Sequence, residues 1–239
     1  MTQNWLGFNV DFNNVDEKTS DGGFELLKEG KYRATIKSVN KSVLGSKNKQ
    51  ALTVTMILDD FGSEITHNLF LPENGDSESA IKFKNENLKN FFTRFVFRQL
   101  TKEEFDKIDK SVVNAELQKI MSVQPNFVGA KVLVHLKQEP FISRDSNTRA
   151  INWTNAAYNP NELPQAILKI IQAEEQKGVE FKQLPLIMFS NKVTAFGFGF
   201  YNDFDETAEL KDSKAYNYIQ SLGAVKVEAE NQKEEVPQY

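Results

Sequence analysis

Lys31-Tyr32-Arg33-Ala34-Thr35-Ile36-Lys37 alternates strictly between residues suited to a core and residues suited to water. Successive side chains of a strand point to opposite faces, so Tyr32, Ala34 and Ile36 take one side while Lys31, Arg33, Thr35 and Lys37 take the other. One buried and one solvated face is the pattern of an antiparallel sheet. Downstream, Leu52, Val54, Met56 and Leu58 alternate with Thr53, Thr55 and Ile57 as a second strand. Asp59-Asp60-Phe61-Gly62 supplies turn chemistry, and residues 63–71 return as a third strand. Residues 40–50 read as a loop between the first two strands, broken at Gly45 and charged by Lys41, Lys47 and Lys49. Three strands with short connections form a meander.

Beyond a polar breaker at 72–79 the period changes. Ile81, Phe83, Leu88, Phe91, Phe92, Phe95 and Val96 recur at helical spacing, with an end expected near Leu100. Thr101-Lys102-Glu103-Glu104 reads as a capping box that opens a further short helix, and Pro125 stops the helical region. Residues 128–136 follow as a fourth strand, with Val132, Val134 and Leu136 alternating against Lys131, Leu133 and His135. A polar turn at Arg144-Asp145-Ser146-Asn147 leads to a fifth strand at 149–154, carrying Ile151 and Trp153.

Three strands, a helical insert and two more strands is the order of an OB-fold, a five-stranded barrel with its helix between the third and fourth strands. An open α+β sheet fits the same order. The expected organisation is an N-terminal arm at 1–28, an OB-fold core at 29–158 with its insert at 81–124, an extension at 159–223 and a mildly acidic tail at 224–239. Within the extension, Asn161-Glu162-Leu163-Pro164 opens an amphipathic helix with Ile167, Leu168, Ile170 and Ile171 inward. A Gly/Phe-rich stretch at 193–204 and a short helix at 215–222 follow.

With 239 residues the chain can bury one sizeable core and more. It has no cysteine, which removes thiolate zinc sites and thiol nucleophiles and fits a reducing compartment. No apolar run reaches bilayer-spanning length, and the N-terminus lacks the pattern of a secretory leader, so the cytoplasm is the expected location. The formal charge is −4, which argues against binding nucleic acid by bulk positive charge.

Leu27-Lys28-Glu29-Gly30-Lys31-Tyr32-Arg33-Ala34-Thr35-Ile36, then Ser46-Lys47-Asn48-Lys49-Gln50-Ala51-Leu52-Thr53-Val54, then Asn68-Leu69-Phe70, resemble a family of bacteriophage single-stranded DNA-binding proteins. Phe127-Val128-Gly129-Ala130-Lys131-Val132 resembles the family's re-entry into its barrel. The likeness covers the first two thirds of the chain, and the region from Asn159 has no counterpart in it. It implies an OB-fold that binds single-stranded DNA in phage replication or recombination inside the host cytoplasm. Implied partners are single-stranded DNA, further copies of the chain, and phage replication or recombination proteins. No cofactor, metal or membrane is expected, and no catalysis.

A single-strand binder needs cations that track phosphates and flat rings on which bases stack. The candidate cations are Lys31, Arg33 and Lys37 on the first strand, Lys41, Lys47 and Lys49 in the loop after it, and Arg144 and Arg149 beside the last hairpin. Trp153 and Tyr158 are the candidate stacking rings, with Phe141 and Phe70 behind them; Trp153 shares the parity of Ile151 and suits a core position equally well. Singly, each cation also reads as part of a solvated face. Gly197-Phe198-Gly199-Phe200-Tyr201 has the ring spacing of an RNA-recognition strand, but Phe196 stands where a basic residue belongs. Asp59-Asp60 and Asp203 with Asp205 are carboxylate pairs a nuclease could use, yet they lie in turn sequence where aspartate is expected anyway. A different class of function remains open, an interaction protein that uses the Phe-rich C-terminal region with the barrel as scaffold.

Overall fold

The computed structural model describes residues 26–123 and 125–223; most of the expected arm and all of the expected tail lie outside them. In chain order the elements are β1 (Gly30–Leu44), β2 (Lys49–Leu58), β3 (Glu64–Phe70), α1 (Glu78–Val96), α2 (Lys102–Asp106), α3 (Lys110–Ser122), β4 (Lys131–Ile142), β5 (Trp153–Ala157), α4 (Gln165–Glu175), β6 (Gln183–Pro185), β7 (Ile187–Gly199) and α5 (Lys214–Ser221). Two compact units emerge from the contacts. Of the described residues, the first contains those up to Lys137 together with Asn191–Lys211, and the second contains Gln138–Ser190 with those from Asp212 to Gly223. Residues 138–158, expected in the barrel core, thus belong to the second unit, and 191–211, expected in the extension, belong to the first.

The first unit is built on an antiparallel five-stranded sheet of order β3-β2-β1-β4-β7. The meander forms as its alternation dictates, with Ala34, Ile36, Val54, Met56, Leu58 and Leu69 at most 1% exposed. β1 pairs with β4 from Gly30↔Leu136 to Thr35↔Lys131, and with β2 from Ala34↔Leu58 to Leu44↔Lys49. Between these partners the register slips: Ile36 faces Met56 but Ser38 faces Thr55. Lys37 is the extra residue of a β-bulge, which bends a strand and raises its twist.

The bulge also reverses the parity of everything after it. Val39 and Lys41 turn to the core side, opposite Val54 and Leu52, while Ser38, Asn40 and Ser42 turn outward. The expected loop at 40–50 is therefore mostly strand. β1 runs to Leu44, and only residues 45–48 turn, with Gly45 and Asn48 left-handed (φ 67° and 50°) and Asn48 N–H donating to Gly45 O at 3.0 Å.

A fifth strand at 149–154 is not part of this sheet. Trp153 lies in β5, which pairs with β6 (Trp153↔Pro185) in a separate two-stranded sheet of the second unit. The fifth strand is β7, whose second half, from residue 193, falls in the Gly/Phe-rich stretch. In the sheet order β3 and β7 are the edges, so the expected closed barrel is not formed by a hydrogen-bonded ladder among the described residues.

Helices cover the core side of the sheet. Ser77 caps α1, accepting from Ala80 N–H, and Thr101 with Glu104 forms the expected capping box of α2. Phe91, Phe92 and Phe95 of α1 meet Phe127 at ring centroids of 5.8, 6.4 and 4.7 Å, and Phe91 meets Phe198 of β7 at 4.9 Å. Each such ring contributes roughly 1.5–3 kcal/mol by burial, so this cluster carries much of the unit's stability. β7 breaks its pleat at Phe196, which is left-handed (φ 56°). A Cβ on Gly197 would stand 2.6 Å from Thr194 O, so the close approach of backbone there requires glycine.

The second unit has its own core of Leu163, Ile167, Ile171, Leu184, Ile187 and Ala215. Ile167 and Ile171 point inward from α4 as their spacing predicts. No helix among the described residues is long and apolar enough to cross a membrane.

Candidate nucleic-acid interface

Register decides which side chains share a face, and on the outer side of β1, β2 and β3 it builds three rows. Ser38 stands beside Thr55 and Thr66, Asn40 beside Thr53 and Asn68, and Ser42 beside Ala51 and Phe70. No charged residue enters these rows. Thr53 Oγ1 donates to Asn68 Oδ1 at 2.9 Å and bonds to the Ser42 hydroxyl, while Asn40 Nδ2 donates to Ser38 Oγ at 3.3 Å. Asn40 and Thr66 are exposed, and Phe70 lies 41% exposed at the end of β3. The result is a hydroxyl- and amide-bearing face with a ring at one corner.

Lysines border it. Lys47 is exposed in the β1–β2 turn. Lys49 starts β2 and pairs with Glu73 at 2.7 Å, while Glu73 also accepts from Gln50 N–H at 2.8 Å. The hydrogen bond that Lys49 donates to Glu73 is the first cause both of the raised Lys49 pKa and of a Glu73 carboxyl held below its ordinary value. Asp76 is held low by Lys84, 2.6 Å away. These pairs fasten the β3–α1 connection to the start of β2, so Lys49 has a structural task. At the opposite border Lys37, thrown out by the bulge, pairs with Glu64 at 2.5 Å.

Lys31 and Arg33 occupy the outer side nearer β4, opposite His135 and Leu133. The Arg33 guanidinium lies 4.4 Å from the centroid of Phe204 and 5.4 Å from that of Tyr201, and 3.5 Å from Glu206. Lys131 stands over the same Tyr201 ring at 5.4 Å and 3.6 Å from Asp59. Its pKa is raised by its hydrogen bond with the Tyr201 hydroxyl and then by the Asp59 charge. Tyr201, Phe204 and Lys131 were missed as site residues because the residues that bring them together are far apart in sequence.

Lys41 does not belong to this surface. The bulge sets it on the core side with Leu52 and Leu69, its Nζ is buried, and desolvation lowers its pKa.

The remaining candidates lie in the second unit. Phe141 is 42% exposed on β4. Arg144 binds Glu174 at 2.7 Å and donates to Arg149 O at 3.0 Å, which fixes the turn in which Arg149 is left-handed (φ 60°). Trp153 and Tyr158 both pack on Phe181, at centroid distances of 5.5 and 6.1 Å, and Tyr158 donates to Glu175 at 3.2 Å. Both rings are half-buried, so each has a packing role within the unit.

The other sequence motifs resolve into packing. Phe198 and Phe200 are 3% and 1% exposed, so the rings of the Gly/Phe stretch serve the core. Asp59 accepts from Thr35 at 2.6 Å, and Asp203 accepts the Lys102 N–H at 3.0 Å. Among the described residues no group of three His, Asp or Glu side chains is placed to hold a metal ion. The chain matches no protein-family model, and no curated protein matches it at a significant level.

Proposed function

We propose that the protein binds single-stranded DNA without catalysis, and that its first unit is an OB-type barrel with β7 as the fifth strand. The order β3-β2-β1-β4-β7 supports this reading, as does the position of α1 between β3 and β4. In such a barrel the bulged first strand serves both the second and the fourth, as β1 does. His67 of β3 and Phe198 of β7 meet edge-on at 5.6 Å, which brings the two sheet edges within side-chain reach. The second unit is then an elaborated connection between the fourth and fifth strands, inserted where OB-folds place one of their binding loops.

The observation that carries the functional reading is the set of three uncharged rows on the outer side of β1, β2 and β3. In a chain with 33 acidic and 29 basic residues, three rows of side chains contain no carboxylate. Hydroxyls and amides there can meet sugar and base edges, Phe70 can stack a base, and Lys47 and Lys37 stand at opposite borders for phosphates. Stacking is worth about 1–3 kcal/mol per base. Charges beyond roughly 8–10 Å are screened at physiological salt, so the overall −4 does not forbid the encounter. A role in phage replication or recombination, with self-association along the strand, rests on the sequence resemblance and belongs to the same proposal.

Fluorescence anisotropy of labelled oligo-dT against a duplex of equal length, at two salt concentrations, tests it. Preferential binding of the single strand, weakening with salt, is the expected result. Equal binding of both ligands, or none at low salt, would refute the proposal.

A further inference from the structure

The first unit holds a cleft of about 610 Å³ between its three helices and the break in β7 at Phe196. Two residues one turn apart on α1 line it, Asn90 and Arg94. Each has a buried polar atom without a hydrogen-bond partner among the described residues, the acceptor Asn90 Oδ1 and the donor Arg94 Nε. Buried unsatisfied atoms are costly and rare. The Arg94 guanidinium is held over Phe200 at 3.9 Å, with Phe105 behind at 5.6 Å. Burial lowers its pKa while the charges of Asp203 and Asp106 oppose that shift.

The cleft's other wall is under strain. Phe196 sits at φ 56°, a region that bulky L-residues avoid. Asn87 Oδ1 accepts the Phe196 N–H at 3.2 Å and holds it there. Phe196 is left 40% exposed, its ring edge-on to Phe83 at 5.3 Å. Strain retained at a residue that lines a cavity is a recurrent mark of a ligand site. Lys89, Arg94 and Lys110 outweigh Glu86 and Asp106 in the lining.

Asn90 and Arg94, one helical turn apart in the lining, bring an amide and a guanidinium that fit a planar ligand edge offering a donor and an acceptor, and the exposed Phe196 in the same lining suits a flat partner. We propose that this cleft binds a nucleobase, its polar edge on Asn90 and Arg94, its plane against Phe196, and its phosphate toward Lys89 and Lys110. This rests on the single-strand reading for its natural source, a base drawn from the bound strand, while a free nucleotide carries the same chemistry.

The test is calorimetric titration of the full chain with each of the four deoxynucleoside monophosphates, beside oligonucleotide anisotropy. Wild type is compared with Asn90→Leu, which removes the acceptor, and Phe196→Gly, which removes the ring while relieving the backbone; thermal melts verify that both fold. At least one monophosphate is expected to bind at millimolar concentration and to lose tenfold or more in affinity in each variant. Oligonucleotides containing that base should bind the variants several-fold more weakly. Monophosphate binding without oligonucleotide binding would uphold the cleft as a free-nucleotide site and sink the single-strand reading. Oligonucleotide binding that is unchanged in both variants, with no monophosphate bound, would overturn the cleft and leave that reading intact. If neither ligand bound, both would fall.

Discussion

His67 shows how much one placement decides. It stands opposite Val54 on the core side of β3, its Nε2 is buried, and desolvation lowers its pKa to about 4. The unfolded chain binds this proton near pH 6.5 and the folded one only near pH 4. Its contribution is therefore fully present above about pH 6.5 and is lost as pH falls through about 4. A His67→Leu variant should lose less stability on acidification than wild type, by about 2–3 kcal/mol between about pH 7.5 and 4.5 in urea denaturation. Carboxylate titrations common to both proteins cancel in that difference, so equal losses would contradict the assignment. Lysines divide by the same logic. Lys47→Glu should weaken oligo-dT binding and make its salt slope shallower by about 0.7, whereas Lys41→Met, on the core side, should leave that slope unchanged. Phe70→Ala should cost about 1–3 kcal/mol of binding if a base stacks there.

At the scale of elements the bulge at Lys37 governs both the fold and the face. Alternation over 31–37 was legible because β1 is regular there. It failed beyond, since one inserted residue reverses the parity of all that follow and leaves no local signature in composition. Deleting Lys37 keeps Val39 inward and Ser38 outward; deleting Asn40 reverses the strand from Lys41 onward. Urea denaturation should therefore find the Asn40 deletion the more destabilising of the two. The capping box at Thr101 and Glu104 and the inward isoleucines of α4 were readable because their determinants lie within one turn. β7 was not readable as a strand, because glycines alternate with its rings and its pleat breaks at Phe196. Gly197→Ala would place a methyl 2.6 Å from Thr194 O, and a loss of about 1–3 kcal/mol is expected by analogy with overpacked cores.

Across the whole molecule, the order of elements was legible as far as β4 and was misassigned after it. Residues 138–190, from within β4 to the start of β7, belong to the second unit, so the strand next in sequence is not the strand next in the sheet. The site followed the same pattern. Lys37, Lys47 and Phe70 could be named from the local sequence around each, whereas the rows of Ser, Thr and Asn between them depend on the pairing of three strands. Net charge supplied a constraint rather than a location. An acidic chain binds a polyanion best where its carboxylates are few, and the three rows from Ser38 to Phe70 on the outer side of β1, β2 and β3 carry none. Amide chemical-shift mapping of the isotope-labelled protein during titration with oligo-dT tests this most directly. The account predicts that the largest shifts fall at residues 37–42, 47–55 and 64–70. Shifts concentrated at residues 141–158 instead, or an unperturbed spectrum at saturating oligonucleotide, would contradict it.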